Sequence, residues 1–489
     1  MILSVKKILA VMLSLLMIVG IVGCGKKNTS SFEVDQNDFT LDFGNGESQA
    51  SSSDGYNEGT EDSKQSETSQ NNNSKNNSSK ETSVSSSNVS STVGDSFAGD
   101  DYVSNGTESE TGEKAPEFIE LPSLEKANKL SNSLNILKEG KDLKVVYFGG
   151  SVTGGTGASN AEKTSWRALT TKYLKTYGNV IEAKKSIGGT GSYLGIARFE
   201  KDVIAEDPDL VFIEFLVNDG YSAIPKETSV KNLEYMIRTL NEHNPYVDII
   251  IVLVTNKDSF GEKGERYQAF ERVAGHYKLP CVDLGTGFYN HIKGKQNRWL
   301  EFFADSVHPN DKGYTVYADV MKNALEQLLV NGNSSKHNLP SLLDKNGYSS
   351  VINLTPNTFN PIKANNIDKN SWGIGSWYSS DDYEKSGTQF RTSHIKNYFP
   401  NYIYPKSNGA SLTFKFTGNS FGLLGNIKEG SSLTVILDGK TEVKLNGSSK
   451  SELLEYPVFA DIKNTEHTVT IKANGKPPYI AIASFTTTK

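Results

Sequence analysis

Between residues 143 and 329 short apolar runs alternate with amphipathic stretches, and this alternation limits the possible folds more than any other feature of the chain. The apolar runs cover 143–148, 180–183, 210–216, 247–255 and 281–284. Helical spacing marks 165–177, 192–206, 227–244, 262–277 and 311–329. A strand followed by a helix, repeated five times, implies a parallel sheet covered by helices on both faces. Ligands of such sheets bind outside the carboxyl ends of the strands. The residues directly after each strand are therefore the candidates for chemistry.

After the first run comes Gly149-Gly150-Ser151-Val152-Thr153-Gly154-Gly155, a glycine-rich turn that presents Ser151 at its tip. A phosphate loop requires a Lys after the glycines, and none follows. The second run leads into Ser186-Ile187-Gly188-Gly189-Thr190-Gly191-Ser192, the third into Val217-Asn218-Asp219-Gly220, which sets an amide side chain on the same edge. Just before the last helix stands Asp305-Ser306-Val307-His308-Pro309. At this spacing a carboxylate can hold one imidazole nitrogen and leave the other free to take a proton, the logic of a Ser-His-Asp triad. The other six histidines show no metal-ligand spacing such as HExxH, so neither a metal nor another cofactor is expected.

Together the four segments resemble the four blocks of the SGNH (GDSL-like) hydrolases over about residues 143–330, and Pro208-Asp209-Leu210-Val211-Phe212-Ile213-Glu214-Phe215 resembles the run into their third block. The resemblance implies an α/β, flavodoxin-like three-layer αβα fold with a five-stranded parallel sheet. It also implies Ser151 as nucleophile, His308 as general base and Asp305 as the residue that orients the imidazole. The oxyanion hole would comprise the backbone N–H groups of Ser151 and Gly189 and the side-chain amide of Asn218. One departure stands out: the first block usually reads Gly-Asp-Ser, and here it reads Gly149-Gly150-Ser151.

The N-terminus carries an address. Lys6 and Lys7 precede an apolar or small run over 8–23 that ends at Cys24, the layout of a secretory signal. Ile21-Val22-Gly23-Cys24 resembles a lipobox, which implies that Cys24 is lipidated and anchors the chain to a bacterial membrane, outside the cytoplasm. Residues 25–115 hold 17 acidic and 6 basic side chains in a Ser/Asn-rich background. They have too little apolar surface to offset the entropy of ordering and are expected to be a disordered tether. The whole chain has a formal charge of -6, whereas residues 116–489 carry +3; no strong basic field points to nucleic acid. With Cys24 modified, Cys281 is left alone in an apolar run, and a disulfide framework is excluded.

From about residue 339 polar turns separate short alternating runs at 411–416, 433–437, 442–445, 467–473 and 479–485, with Asp438-Gly439 as a hairpin signal. Such spacing predicts a β-sandwich. Trp372, Trp377, Tyr378 and Tyr383 either stack on sugar rings or pack the sandwich and its seam. The domains expected are thus 1–24 signal, 25–115 tether, 116–338 hydrolase and 339–489 sandwich. The function expected is a serine esterase that removes small acyl groups, O-acetyl above all, from carbohydrate at the cell surface. A glycan O-acetyltransferase with the same triad and a catalytically silent glycan-binding lipoprotein are the alternatives.

Overall fold

The computed structural model describes residues 118–355, 371–376, 398–448, 454–475 and 480–488. Cys24, Trp377, Tyr378 and Tyr383, with the expected signal and the whole of the expected tether, lie outside the described residues.

Strands β1 (Leu143–Gly149), β2 (Val180–Ser186), β3 (Leu210–Glu214), β4 (Asp248–Leu253) and β5 (Cys281–Asp283) form one sheet in the order β2-β1-β3-β4-β5. All four pairings are parallel. Every residue of β3, β4 and β5 is buried, as expected of strands covered on both faces. The edge strand β2 differs, with half-buried and exposed positions and the charged residues Glu182, Lys184 and Lys185. Charges on an edge discourage further strand pairing.

The helices of eight residues or more among the described residues are α1 (Ser131–Lys138), α2 (Trp166–Leu174), α3 (Ser192–Asp202), α4 (Lys226–His243), α5 (Glu265–His276), α6 (Leu284–His291) and α7 (Asp311–Leu328). Alternate strand residues face opposite layers. Val146, Phe148, Val211 and Ile213 meet Phe199 of α3, Met236 of α4 and Phe270 of α5. Val145, Tyr147, Leu210 and Phe212 meet Leu134 of α1, Trp166 of α2, Phe288 of α6 and Tyr317 of α7. This is the three-layer arrangement expected from the sequence, with strand and helix ends moved by a few residues. Helices α1 and α6 had no counterpart in that reading; Asp283 caps α6 by accepting the Thr286 N–H at 2.8 Å.

The C-terminal region supplies β6 (Val351–Leu354), β7 (Trp372–Ser376), β8 (Asn401–Pro405), β9 (Ser411–Gly418), β10 (Ser420–Ile427), β11 (Ser432–Leu437), β12 (Thr441–Asn446), β13 (Leu454–Phe459), β14 (Thr465–Asn474) and β15 (Ile480–Thr488). They build a six-stranded sheet, β13-β10-β15-β8-β7 with β6 also on β15, and a four-stranded sheet, β12-β11-β14-β9. The pairings are antiparallel. Asp438 and Gly439 both adopt positive φ, 50° and 66°, the conformation a two-residue hairpin turn demands.

Five strands match the alternating runs of the sequence, and the strongest omission is β10. All eight of its residues are buried, so it shows no alternation. Phe421, Leu423 and Ile427 enter the sandwich core, whereas Leu424 joins the core shared with α3, α4 and α5. The six-stranded sheet therefore has apolar neighbours on both sides, and Tyr348, Phe399, Tyr402 and Ala483 extend the same contact. Lys231 of α4 adds ion pairs to Asp344 and Asp461, and the Asn353 amide donates to the Ala197 carbonyl at 2.5 Å.

Trp372 is not a sugar contact, one of the two readings open for it: it is 1% exposed and belongs to the sandwich core, which is the other. Its faces are covered by neighbouring side chains and cannot stack on a sugar.

Gly422 of β10 shows how close the two parts lie. A Cβ at this position would come within 2.1 Å of the Tyr193 hydroxyl of α3 and 2.5 Å of the Tyr456 carbonyl oxygen. Gly422→Ala is expected to lower the unfolding free energy of the full chain by about 1–3 kcal/mol, measured by urea denaturation. Unchanged stability would show that the sheet and α3 are packed more loosely than described.

Candidate active site

The turn after β1 runs straight into a one-turn helix, Ser151–Gly154, with Gly150 in extended conformation before it and Gly155 left-handed after it (φ 87°). Ser151 thus stands at the tip of a strand-to-helix turn. Its hydroxyl donates to His308 Nε2 at 2.7 Å. On the other side of the ring, His308 Nδ1 donates to Asp305 Oδ2, also at 2.7 Å. The remaining oxygen, Asp305 Oδ1, accepts the backbone N–H groups of Val307 and His308, each at 2.7 Å. The indole of Trp299 holds the Asp305 carbonyl at 2.7 Å.

Partial burial pushes the Asp305 carboxyl up, but the hydrogen bonds from His308 and Val307 outweigh it and leave the group below the usual carboxylate range. It is therefore ionised at neutral pH and faces the imidazole as an acceptor. This fixes the tautomer that leaves Nε2 free to take the serine proton.

The loop behind Ser151 braces His308. Gly157 has φ 90° and lies so close that a Cβ would sit 2.4 Å from the Pro309 carbonyl oxygen and 3.1 Å from His308 Cβ. Asp311, at the start of α7, accepts from the Ser159 N–H and the Thr164 hydroxyl at 2.8 and 2.7 Å. The Ser151 loop and the helix that follows His308 are thereby locked together.

The expected oxyanion donors arrive from two further segments. Gly189 takes φ 70°, and its neighbour Gly188 lies against Ser151, with a notional Cβ 3.4 Å from Ser151 Cβ. Asn218 occupies a one-turn helix, Leu216–Tyr221, directly after β3, and is 6% exposed. Its amide covers Gly150, where a Cβ would meet Asn218 Oδ1 at 2.3 Å. The glycine that replaces the usual Asp is thus the residue that makes room for Asn218.

Three buried carboxyl groups support these segments, and the sequence reading assigned none of them a role. Glu214, at the end of β3, accepts from the Thr153 hydroxyl at 2.8 Å and the Gly150 N–H at 3.3 Å. Burial pushes it up to about 7, although both bonds pull the other way. Asp219 accepts the Ser192 N–H at 2.6 Å and the Ser192 hydroxyl at 2.8 Å, and burial raises it to about 6. Glu455, from β13 of the sandwich, accepts from Gly191 and Leu194 and is raised by burial to about 7. An acid inside an apolar strand is a signal for Glu214. Glu455 stands 264 residues from its Gly191 partner, a distance across which local pattern carries no information.

A cleft of about 530 Å³ opens between the Leu216–Tyr221 helix and the loops after β4 and β5, and none of Ser151, Asn218 and His308 lines it. Leu216, Val217, Tyr221, Asn256 and Arg266 are among its walls. The hydrogen-bonded series Ser151-His308-Asp305 can take the proton of the Ser151 hydroxyl as it attacks an electrophilic carbon.

Two measurements probe this geometry. Restoring the common acid by Gly150→Asp is expected to displace the Asn218 amide and to lower kcat for a simple acetyl ester by roughly 10²-fold; a faster enzyme would contradict the packing described. The second concerns pH. Because Glu214 rises from 4.5 to about 7 on folding, the folded state binds more protons in that window, and stability falls as pH rises through it. Glu214→Gln should make the decline in Tm across the window shallower than in the wild type, as read by calorimetry; an unaltered slope would exclude this assignment.

Residues 147–316 match the family model described as GDSL-like Lipase/Acylhydrolase. No curated protein sequence matches the chain. Among solved structures, a two-domain esterase described as active on acetylated mannans, co-crystallised with mannopentaose, superimposes with TM-score 0.60 at 21% identity, over 76% of this chain and 99% of its own. A second crystal structure described as that esterase gives 0.60 at 20% identity with the same coverage. The acetylxylan esterase Axe2 from Geobacillus stearothermophilus aligns at 21% identity over 40% of this chain and 100% of its own, with TM-score 0.33. At these identities the two-domain structures bear on the fold, which they share across both the parallel sheet and the sandwich. Residues 147–316 are accordingly a GDSL-like lipase/acylhydrolase domain, and through them the chain is a serine hydrolase of ester bonds.

Proposed function

We propose that this protein removes O-acetyl groups from carbohydrate through a seryl-acyl intermediate, with Ser151, His308 and Asp305 as the catalytic triad. The observation that carries the reading is the unbroken hydrogen-bonded chain Ser151-His308-Asp305 at 2.7 Å per link. Ser151 Oγ attacks the acyl carbon and passes its proton to His308 Nε2, while Asp305 stabilises the imidazolium that forms. Charge gathers on the carbonyl oxygen, where the N–H groups of Ser151 and Gly189 and the Asn218 amide receive it. His308 then returns the proton to the departing sugar hydroxyl. Water, activated by the same imidazole, releases acetate from Ser151.

Carbohydrate as substrate is supported by the structure described as an esterase active on acetylated mannans, which is similar in both parts of the chain. A net charge of only +3 over residues 116–489 suits a neutral or weakly charged glycan, because it sets up no strong field for an ionic ligand. Location at the outer face of the membrane, held by lipid on Cys24, rests on the charged and apolar pattern of residues 1–24.

Acetate release from acetylated mannan, acetylated xylan and envelope glycans tests the reading. Ser151→Ala is expected to reduce turnover by roughly 10⁴-fold or more; undiminished release would reject Ser151 as nucleophile. Transfer of acetyl to an added glycan, with no free acetate, would assign the protein to acyl transfer instead. Metabolic labelling with a fatty acid should mark the wild type and leave Cys24→Ala unmarked.

A further inference from the structure

We infer that Glu455 is a positioning residue for the oxyanion donors, so that the sandwich completes the catalytic site instead of merely accompanying it. The inference rests on the esterase reading above. It starts from an incomplete helix: α3 opens at Gly191, has no side-chain cap of its own and carries no acidic residue in its first turn. A buried helix start must find acceptors for its free N–H groups. Asp219 takes one, from Ser192. Glu455 takes two others, accepting Gly191 N–H on Oε1 at 2.5 Å and Leu194 N–H on Oε2 at 2.7 Å.

The same carboxylate reaches the second donor segment. The Ser222 hydroxyl donates to Glu455 Oε1 at 3.2 Å, and the Ser222 N–H donates to the Asn218 carbonyl at 2.8 Å. One side chain therefore ties the turn that holds Gly188 and Gly189 to the helix that holds Asn218. Both segments converge on Ser151; Asp219, on the Asn218 helix, joins them once through Ser192, and Glu455 adds a second tie that comes from the sandwich. Glu455 is 4% exposed and sits opposite Leu424 in the β10/β13 ladder, so its position is set by a sheet that is itself packed against α3. An anchor on a rigid element holds a donor more closely than a loop can, and a displacement of about 1 Å at a catalytic group can cost up to ~10²-fold in rate.

The test uses the full chain and three variants: Glu455→Ala, Glu455→Gln and, as a control on the same interface, Asp461→Asn, which weakens the contact to Lys231 away from the donor segments. Two quantities are measured well below each Tm: kcat and KM for an acetyl ester per titrated active site, and the rate at which a fluorophosphonate labels Ser151. Glu455→Ala is expected to lose roughly 10- to 100-fold in kcat, with KM little changed and labelling slowed in proportion. Glu455→Gln should fall between, since its amide oxygen can serve one N–H while its NH₂ opposes the other. Asp461→Asn should keep the wild-type kcat even where its Tm drops. Wild-type kcat and labelling rate per titrated site in the Gln and Ala variants would overturn the inference, as would a loss of equal size in Asp461→Asn. Should the Ala variant fail to fold, the Gln variant decides. A wild type that labels at Ser151 yet hydrolyses no ester would refute the esterase reading alone, and the labelling rates would still judge Glu455.

Discussion

A parallel sheet with both faces buried forces the rest of this structure. Strands β3, β4 and β5 expose nothing, so helices must cover each side and every strand must end in a loop at one edge. That edge collects Ser151, Gly188, Gly189 and Asn218 from three different strands. The His308 loop, stapled to the Ser151 loop through Asp311, closes the group. Convergence of the four segments thus follows from the burial of the sheet, and their chemistry from the few polar residues placed at its rim.

The cost of this placement falls on buried acids. Glu214, Asp219 and Glu455 are each raised by desolvation, and each is retained where it accepts backbone N–H groups beside the site. A buried carboxyl without such partners would be strongly destabilising. With them, it determines where neighbouring peptide groups point, which is what an oxyanion hole requires of its frame. Gly150 makes the complementary contribution, since a side chain there would occupy the place of the Asn218 amide.

The sandwich belongs to this frame. Its six-stranded sheet packs on its own four-stranded partner through one face and on α3 and α4 through the other. Gly422 beneath Tyr193 and Lys231 between Asp344 and Asp461 show that the seam is close-fitting and polar at its margin. The sandwich therefore supplies a packed flank to α3, the helix that follows the Gly188-Gly189 turn.

The strand and helix order from 143 to 329, the glycine-rich turn at Ser151, Asn218 after the third strand and the Asp305-to-His308 spacing were all legible in the sequence, because each depends on neighbours a few residues away. Period and turn chemistry are local properties. The strand β10 was hidden because burial on both sides removes alternation, and Trp372 stayed undecided because an aromatic residue in a polar stretch looks the same whether it faces solvent or a core. Glu214 left a trace, an acid amid Val, Phe and Ile, without indicating that it holds the Gly150 N–H. Glu455 left none. Its partners Gly191, Leu194 and Ser222 lie more than 230 residues away, and only the packing of β13 against α3 brings a carboxylate to N–H groups whose need for one was set by the other half of the chain. The sequence alone determined the sheet and the edge at which Ser151 and Asn218 stand, and implied ester chemistry through a family resemblance; the tertiary structure decided what holds that edge in place, because such support comes from contacts between segments whose local patterns are independent.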